Sequence, residues 1–152
     1  MGDEQMNWKI KKFEELELEE MYKILELRSQ LFVVEQNCPY QDCDGKDRYS
    51  YHLFSEEDGK ITAYLRIIEK GISYDEISIG RVCVDKSYRR KGKGREMMLK
   101  AIKFVEENLK ENKIKIQAQS YLSEVYKSLG CKGISNEYLE DNIPHIDMFY
   151  KS

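Results

Sequence analysis

Apolar side chains repeat along this chain with two different periods, and the places where the period changes delimit its elements. Residues 8–13 read as a short strand. After them Leu18, Met21, Tyr22, Leu25 and Phe32 recur at helical spacing as far as Val34, which predicts the first helix. Arg28 falls on the same stripe, so a cation lies on the face that packs, and a buried arginine requires an anionic partner. Residues 37–47 read as a loop, with Pro39 breaking the helix and Asp42, Asp44, Gly45 and Asp47 supplying turn chemistry.

Residues 49–55 and 61–68 are strand-like runs on either side of Asp58-Gly59, a two-residue hairpin signal, so the second and third strands pair antiparallel. Residues 77–84 form the fourth strand, stopped by Asp85 to Ser87. From Lys93 onward Met97, Met98, Ala101, Ile102, Val105 and Leu109 share one helical face, with Lys100, Lys103, Glu106 and Lys110 largely elsewhere. Residues 114–119 make a fifth strand, 122–129 a short helix stopped by Gly130, and 146–150 a last strand after Pro144. The order β-α-β-β-β-α-β-α-β predicts one mixed α/β (α+β) domain over residues 1–152.

Composition adds little to that picture. A chain of 152 residues can bury a working core without metal or disulfide staples. The first thirty residues lack a long apolar run behind a basic start, so a soluble, cytoplasmic protein with no membrane association is expected. Cys38, Cys43, Cys83 and Cys131 are expected as free thiols, and Cys38, Cys43 and His52 lack the spacing of a zinc set, so no metal is expected.

Charge changes the picture more. The net charge is −3, yet Lys86, Arg89, Arg90, Lys91, Lys93 and Arg95 fall within ten residues that contain no acid. The first N–H groups of a helix are unpaired and carry partial positive charge, so a basic, glycine-containing turn that opens a helix suits a phosphate. The turn has neither the Walker A frame nor the dinucleotide-binding one. Nucleic acid is not expected, because only Tyr88 is interleaved with these cations and the whole chain is acidic.

The stretch Ile79-Gly80-Arg81-Val82-Cys83-Val84 followed by Tyr88-Arg89-Arg90-Lys91-Gly92-Lys93-Gly94 resembles the acetyl-CoA signature of GNAT acetyltransferases: an arginine or glutamine, with glycine at the third position after it and glycine or alanine at the fifth. A second stretch, Gln119-Ser120-Tyr121-Leu122 with Val125-Tyr126-Lys127-Ser128-Leu129-Gly130-Cys131, is similar to a later motif of that superfamily, in which a helix tyrosine lies near the thioester sulfur. Leu27-Arg28, the run from Phe32 to Tyr40, Asp44-Gly45-Lys46-Asp47, Arg66 and Ile143-Pro144-His145-Ile146-Asp147-Met148 resemble its ElaA-type branch, across nearly the entire chain. That branch usually shows a glycine where Asn142 stands, and asparagine also enters left-handed turns.

The resemblance implies a GNAT acyl-CoA N-acyltransferase fold, a central mixed, mostly antiparallel sheet flanked by helices. It implies that acetyl-CoA is the co-substrate, that Val82, Cys83 and Val84 meet the pantetheine arm and that Arg89, Arg90, Lys91, Gly92, Lys93 and Gly94 hold the pyrophosphate. A primary amine, on a small molecule or a peptide, is the other partner, and a homodimer stays open. Acyl transfer needs a neutral amine, a donor for the developing oxyanion and a proton for the departing thiolate. Tyr126 is the expected general acid, and Glu35, Glu76, His52 and His145 are candidate bases, with a water chain as the other route. Arg28, Glu35, Asp44 and Asp47 are expected on the substrate side, either as lining or as an ion network that braces it. The rival function is a sensor or interaction module that binds acetyl-CoA without turnover and has no need of Tyr126.

Overall fold

The computed structural model describes residues 7–140 and 143–151, so Asn142 lies outside the described residues. An eight-stranded sheet runs in the order β1-β2-β3-β4-β5-β8-β6, with β7 added to β8. Strands β1 (Trp8–Lys12), β2 (Ser50–Glu57), β3 (Lys60–Ile68) and β4 (Ile77–Val84) are joined antiparallel. The β2–β3 turn is Asp58-Gly59, with φ of 52° and 78°, the left-handed pair that a two-residue hairpin needs. β5 (Lys113–Gln119) lies parallel to β4, and β8 (Ile143–Lys151) runs antiparallel to β5.

Helices cover both faces, which is why β3 is buried along nearly its whole length. On one face α1 (Leu18–Arg28) sets Ile24 and Leu27 against Phe54, Ile61 and Tyr64. On the other α2 (Lys93–Glu107) and α3 (Ser123–Ser128) cover Leu53, Leu65, Ile67, Ile79 and Ile116. The face predicted for α2 is the one that packs: Met97, Met98, Ala101, Ile102 and Val105 are all buried.

The predicted face of α1 is corrected. Leu18 and Tyr22 are exposed, and the buried stripe is Ile24, Leu27, Arg28 and Leu31. Helical spacing admits either stripe and Arg28 lies on both; the sheet-facing one is the one whose Ile24 and Leu27 pack against Phe54, Ile61 and Tyr64. The helix also changes character before Val34. Ser29–Val34 is a π-helical turn, with Glu35 N–H donating to the Gln30 carbonyl at 2.8 Å, and it alters the direction in which the next side chains project.

Two short strands escaped the sequence reading, β6 (Lys132–Gly133) and β7 (Tyr138–Glu140), and the last strand begins at Ile143 rather than Ile146. Pro144 lies inside β8 because β5 ends at the Gln119–His145 pair, so the proline meets only Leu139 of the short β7.

The sheet opens where β4 and β5 part. Their parallel pairing stops at Ile79 and Ile116, and a bulge in β4 sets Arg81 and Val82 against the single Leu65 of β3. Arg81 has φ of 53°, an uncommon conformation for an arginine, and its guanidinium is tied to Asp42 at 2.8 Å.

Candidate active site

On the α2 side of this opening lies a cavity of about 310 Å³. Eight of the nine residues expected at the cofactor line it, namely Val82, Cys83, Val84, Arg89, Arg90, Gly92, Lys93 and Gly94, while Lys91 does not and reaches over the Tyr88 ring. Asp85 N–H donates to the Thr62 carbonyl, so in the alternating antiparallel ladder Val84 turns its backbone groups away from β3. The Val84 carbonyl accepts from Arg89 Nε at 2.9 Å. Gly92 sits at the N-cap of α2 with φ of 75°, and among the described residues no side chain caps that helix. Its first amides are therefore available to an anion.

Several of the expected cations already have partners. Arg89 pairs in a two-pronged fashion with Glu35, at 2.9 and 3.2 Å, and Lys93 pairs with Glu57 at 2.7 Å. The hydrogen bond from Arg89 keeps the Glu35 carboxyl below its usual range, and Glu35 faces this cavity and not the second one. Burial pushes the Cys83 thiol up to about 12, so it stays protonated.

The second cavity, about 400 Å³, lies between the β3–β4 side and the β7–β8 side of the opening. It shares Phe32, Gln36, Val82, Leu122 and Tyr126 with the first, so the two meet at the bulge of β4 and the tyrosine of α3. Tyr126 is buried, at 4% exposure, yet it touches both. Gln36 donates to Gln119 at 3.0 Å and so links the end of the π turn to the end of β5 across this junction.

The base candidates separate cleanly. His145 lines the second cavity, and its Nδ1 donates to the Ile143 carbonyl at 2.7 Å, which in the neutral ring leaves the lone pair on Nε2. His52 is fully buried and lines neither cavity; Tyr64 Oη lies 2.6 Å from its Nδ1 and the Asp47 carbonyl 2.9 Å from its Nε2, and burial lowers its pKa. Glu76 lines neither cavity.

In and behind the wall of the second cavity three arginines face three aspartates. Arg28 is wholly buried and bonds Asp42 at 2.9 Å and Asp47 at 2.8 Å. Arg66 bonds Asp44 at 2.6 Å and Asp47 at 2.9 Å, and Arg81 bonds Asp42. Burial works to raise Asp44 and Asp47, but hydrogen bonds from Arg66 and the Lys46 N–H hold Asp44 well below the carboxylate range, and Arg28 does the same for Asp47. Of the four residues expected on the substrate side, Asp44 lines the cavity, Arg28 and Asp47 stand behind it, and Glu35 faces the smaller cavity instead. Sequence reasoning missed Asp42, Arg66 and Arg81 as members of one network, although the sign and density of charge in residues 42–47 pointed to one.

Residues 11–152 match the family described as Acetyltransferase (GNAT) domain. A UPF0039 protein of Schizosaccharomyces pombe is 39% identical over 140 residues, 91% of this chain and 92% of that protein. Among solved structures, an acyl-CoA N-acyltransferase from Pseudomonas aeruginosa is similar with a TM-score of 0.89 at 36% identity, covering 94% of this chain and 98% of that one. Escherichia coli ElaA is similar with a TM-score of 0.89 at 33% identity, covering 95% and 98%.

Proposed function

The chain belongs to the GNAT acetyltransferase family, and on that premise we propose that it moves an acetyl group from acetyl-CoA to a primary amine by direct attack in a ternary complex. The observation that carries this reading is the junction of two cavities at Val82 and Tyr126, one edged by a basic helix start and the other by polar groups. Acetyl-CoA, when bound, supplies a thioester carbonyl to be attacked and a thiolate to depart. The residues of the smaller cavity fit it: uncapped amides open α2, and Gly92 at its N-cap holds φ of 75°, a conformation that glycine enters without strain.

Arg89, Arg90 and the amides from Gly92 to Gly94 hold the pyrophosphate, with Arg89 passing from Glu35 to the phosphate oxygens. Val82 and Val84 offer backbone groups to the pantetheine arm, and an N–H at the β4 bulge stabilises the charge that develops on the carbonyl oxygen. Tyr126 returns a proton to the thiolate. His145 Nε2 takes the proton from the amine, directly or through water, whereas Glu35 orders Arg89.

The test is Tyr126→Phe, assayed by CoA thiol release against a panel of primary amines. Loss of the acid lowers kcat by about 10²- to 10⁴-fold while acetyl-CoA affinity stays within about twofold. An unchanged kcat would take the acid role from Tyr126.

A further inference from the structure

The charges around the larger cavity are unevenly committed. Both oxygens of Asp44 accept from arginine: Oδ1 from Arg66, which it shares with the Lys46 N–H, and Oδ2 from Arg66 at 2.6 Å and Arg81 at 3.4 Å. Asp42 and Asp47 are likewise spent on Arg28, Arg81 and Arg66. Three guanidiniums thus balance three carboxylates, and among the described residues no carboxylate at this end is left to receive a cationic acceptor.

Donors, by contrast, are left over. Arg66 and Ser78 each have 3% exposure and both line the cavity. Among the described residues, Arg66 Nε and Ser78 Oγ have no hydrogen-bond partner. The two are diagonal neighbours on one face of the β3–β4 pair, since Arg66 stands opposite Gly80 and Ser78 opposite Ile68, and all four residues line the cavity. Lys46 lines the same end and, among the described residues, forms no ion pair. Buried donors without acceptors are costly, and a carboxylate meets an arginine edge, a hydroxyl and an ammonium at once. On the opposite wall β7 and β8 bring Glu140 and His145 to the cavity, and Glu140 too has no ion pair among the described residues. The cavity is therefore donor-rich and cationic at the β3–β4 end and anionic or basic at the β7–β8 end.

We propose that the acceptor is an amino acid or a short peptide with a free carboxylate, the carboxylate held by Lys46, Arg66 and Ser78 and the amine lying toward His145 and Tyr126. The assignment rests on the acetyltransferase reading for the role of the cavity, but the anion site can be measured without turnover. The protein loaded with CoA is titrated calorimetrically with the L-amino acids, with their carboxamides and methyl esters, and with dipeptides that have a free carboxyl end. A free carboxylate is expected to improve binding about 10- to 100-fold over its amide, the contribution of one or more charge-assisted hydrogen bonds. Lys46→Gln and Ser78→Ala each shrink that ratio by about 3- to 10-fold and leave CoA affinity unchanged. The free amino acid and dipeptide arms decide between the two sources of the carboxylate. Equal binding of acid and amide, or binding of neither, would overturn the proposal. A carboxylate preference in a protein that transfers no acetyl group would instead keep the anion site and overturn the acetyltransferase reading.

Discussion

The two halves of the opening are built by opposite strategies. The smaller cavity, proposed for the cofactor, comes largely from one run of chain, β4 through the first turns of α2, with Tyr126 and Glu35 added from elsewhere. The larger, proposed for the acceptor, is assembled from the loop after α1, from β3, β4, β5, β7 and β8, and from the segment between β3 and β4. One is held by backbone geometry at a helix start, and the other by six charged side chains that neutralise one another, four of them buried and those of Asp44 and Arg81 partly exposed. The contrast implies that the smaller cavity keeps its stability when single side chains are lost, whereas the larger one fails as a unit.

Arg28→Ala is the sharpest way to break the contrast. It leaves Asp42 and Asp47 buried with one cation fewer, and about 3 to 5 kcal/mol of stability is lost. Urea unfolding reads this directly; a loss below about 1 kcal/mol would mean that the network is only a solvated cluster.

A smaller effect comes from protons. His52 is buried with a lowered pKa, so below its unfolded value of about 6.5 the unfolded chain takes up a proton that the native chain refuses. Its contribution is complete above that pH and is lost as the pH falls through the depressed native value, with a slope of at most about 1.4 kcal/mol per pH unit. Asp44 and Asp47 add a second loss below about pH 4, because their native values lie under the unfolded ones. Unfolding free energy measured from pH 7 to pH 3 should show both segments, and in His52→Gln the slope that sets in below about pH 6.5 should vanish.

Glu35→Gln belongs at the bottom of the scale. Its ion pair with Arg89 joins side chains that are 32% and 39% exposed, so stability changes by about 1 kcal/mol or less. Acetyl-CoA binds somewhat more tightly, because Arg89 no longer has to leave a carboxylate, and kcat is unaffected within a few-fold. A 10²-fold fall in kcat would make Glu35 the base.

The same contrast explains what could be read from the sequence. The basic turn, β4, α2 and the β2–β3 hairpin depend on neighbours in the chain, and period, glycine placement and charge reported them with nearly the right ends. β6 and β7 are two and three residues long and exist only through pairing with β8, so no local period marks them. The face of α1 was ambiguous because two stripes satisfy helical spacing, and Phe54, Ile61 and Tyr64, against which one of them packs, lie far along the chain. For the site, the residues that line the smaller cavity were legible as a motif. The convergence of Arg66, Arg81 and Ser78 with His145 was not, since those side chains meet only across strand register and the β4 bulge.

The most direct test of the two-sided opening is thermal unfolding with acetyl-CoA, CoA and ATP added in turn. At about 100 times the dissociation constant, acetyl-CoA should stabilise the protein by about 2.7 kcal/mol, a rise in Tm of roughly 5 to 10 °C, with CoA close behind and ATP far below. No shift with acetyl-CoA or CoA, in protein that is folded and free of copurified CoA, would contradict the assignment of the β4–α2 cavity.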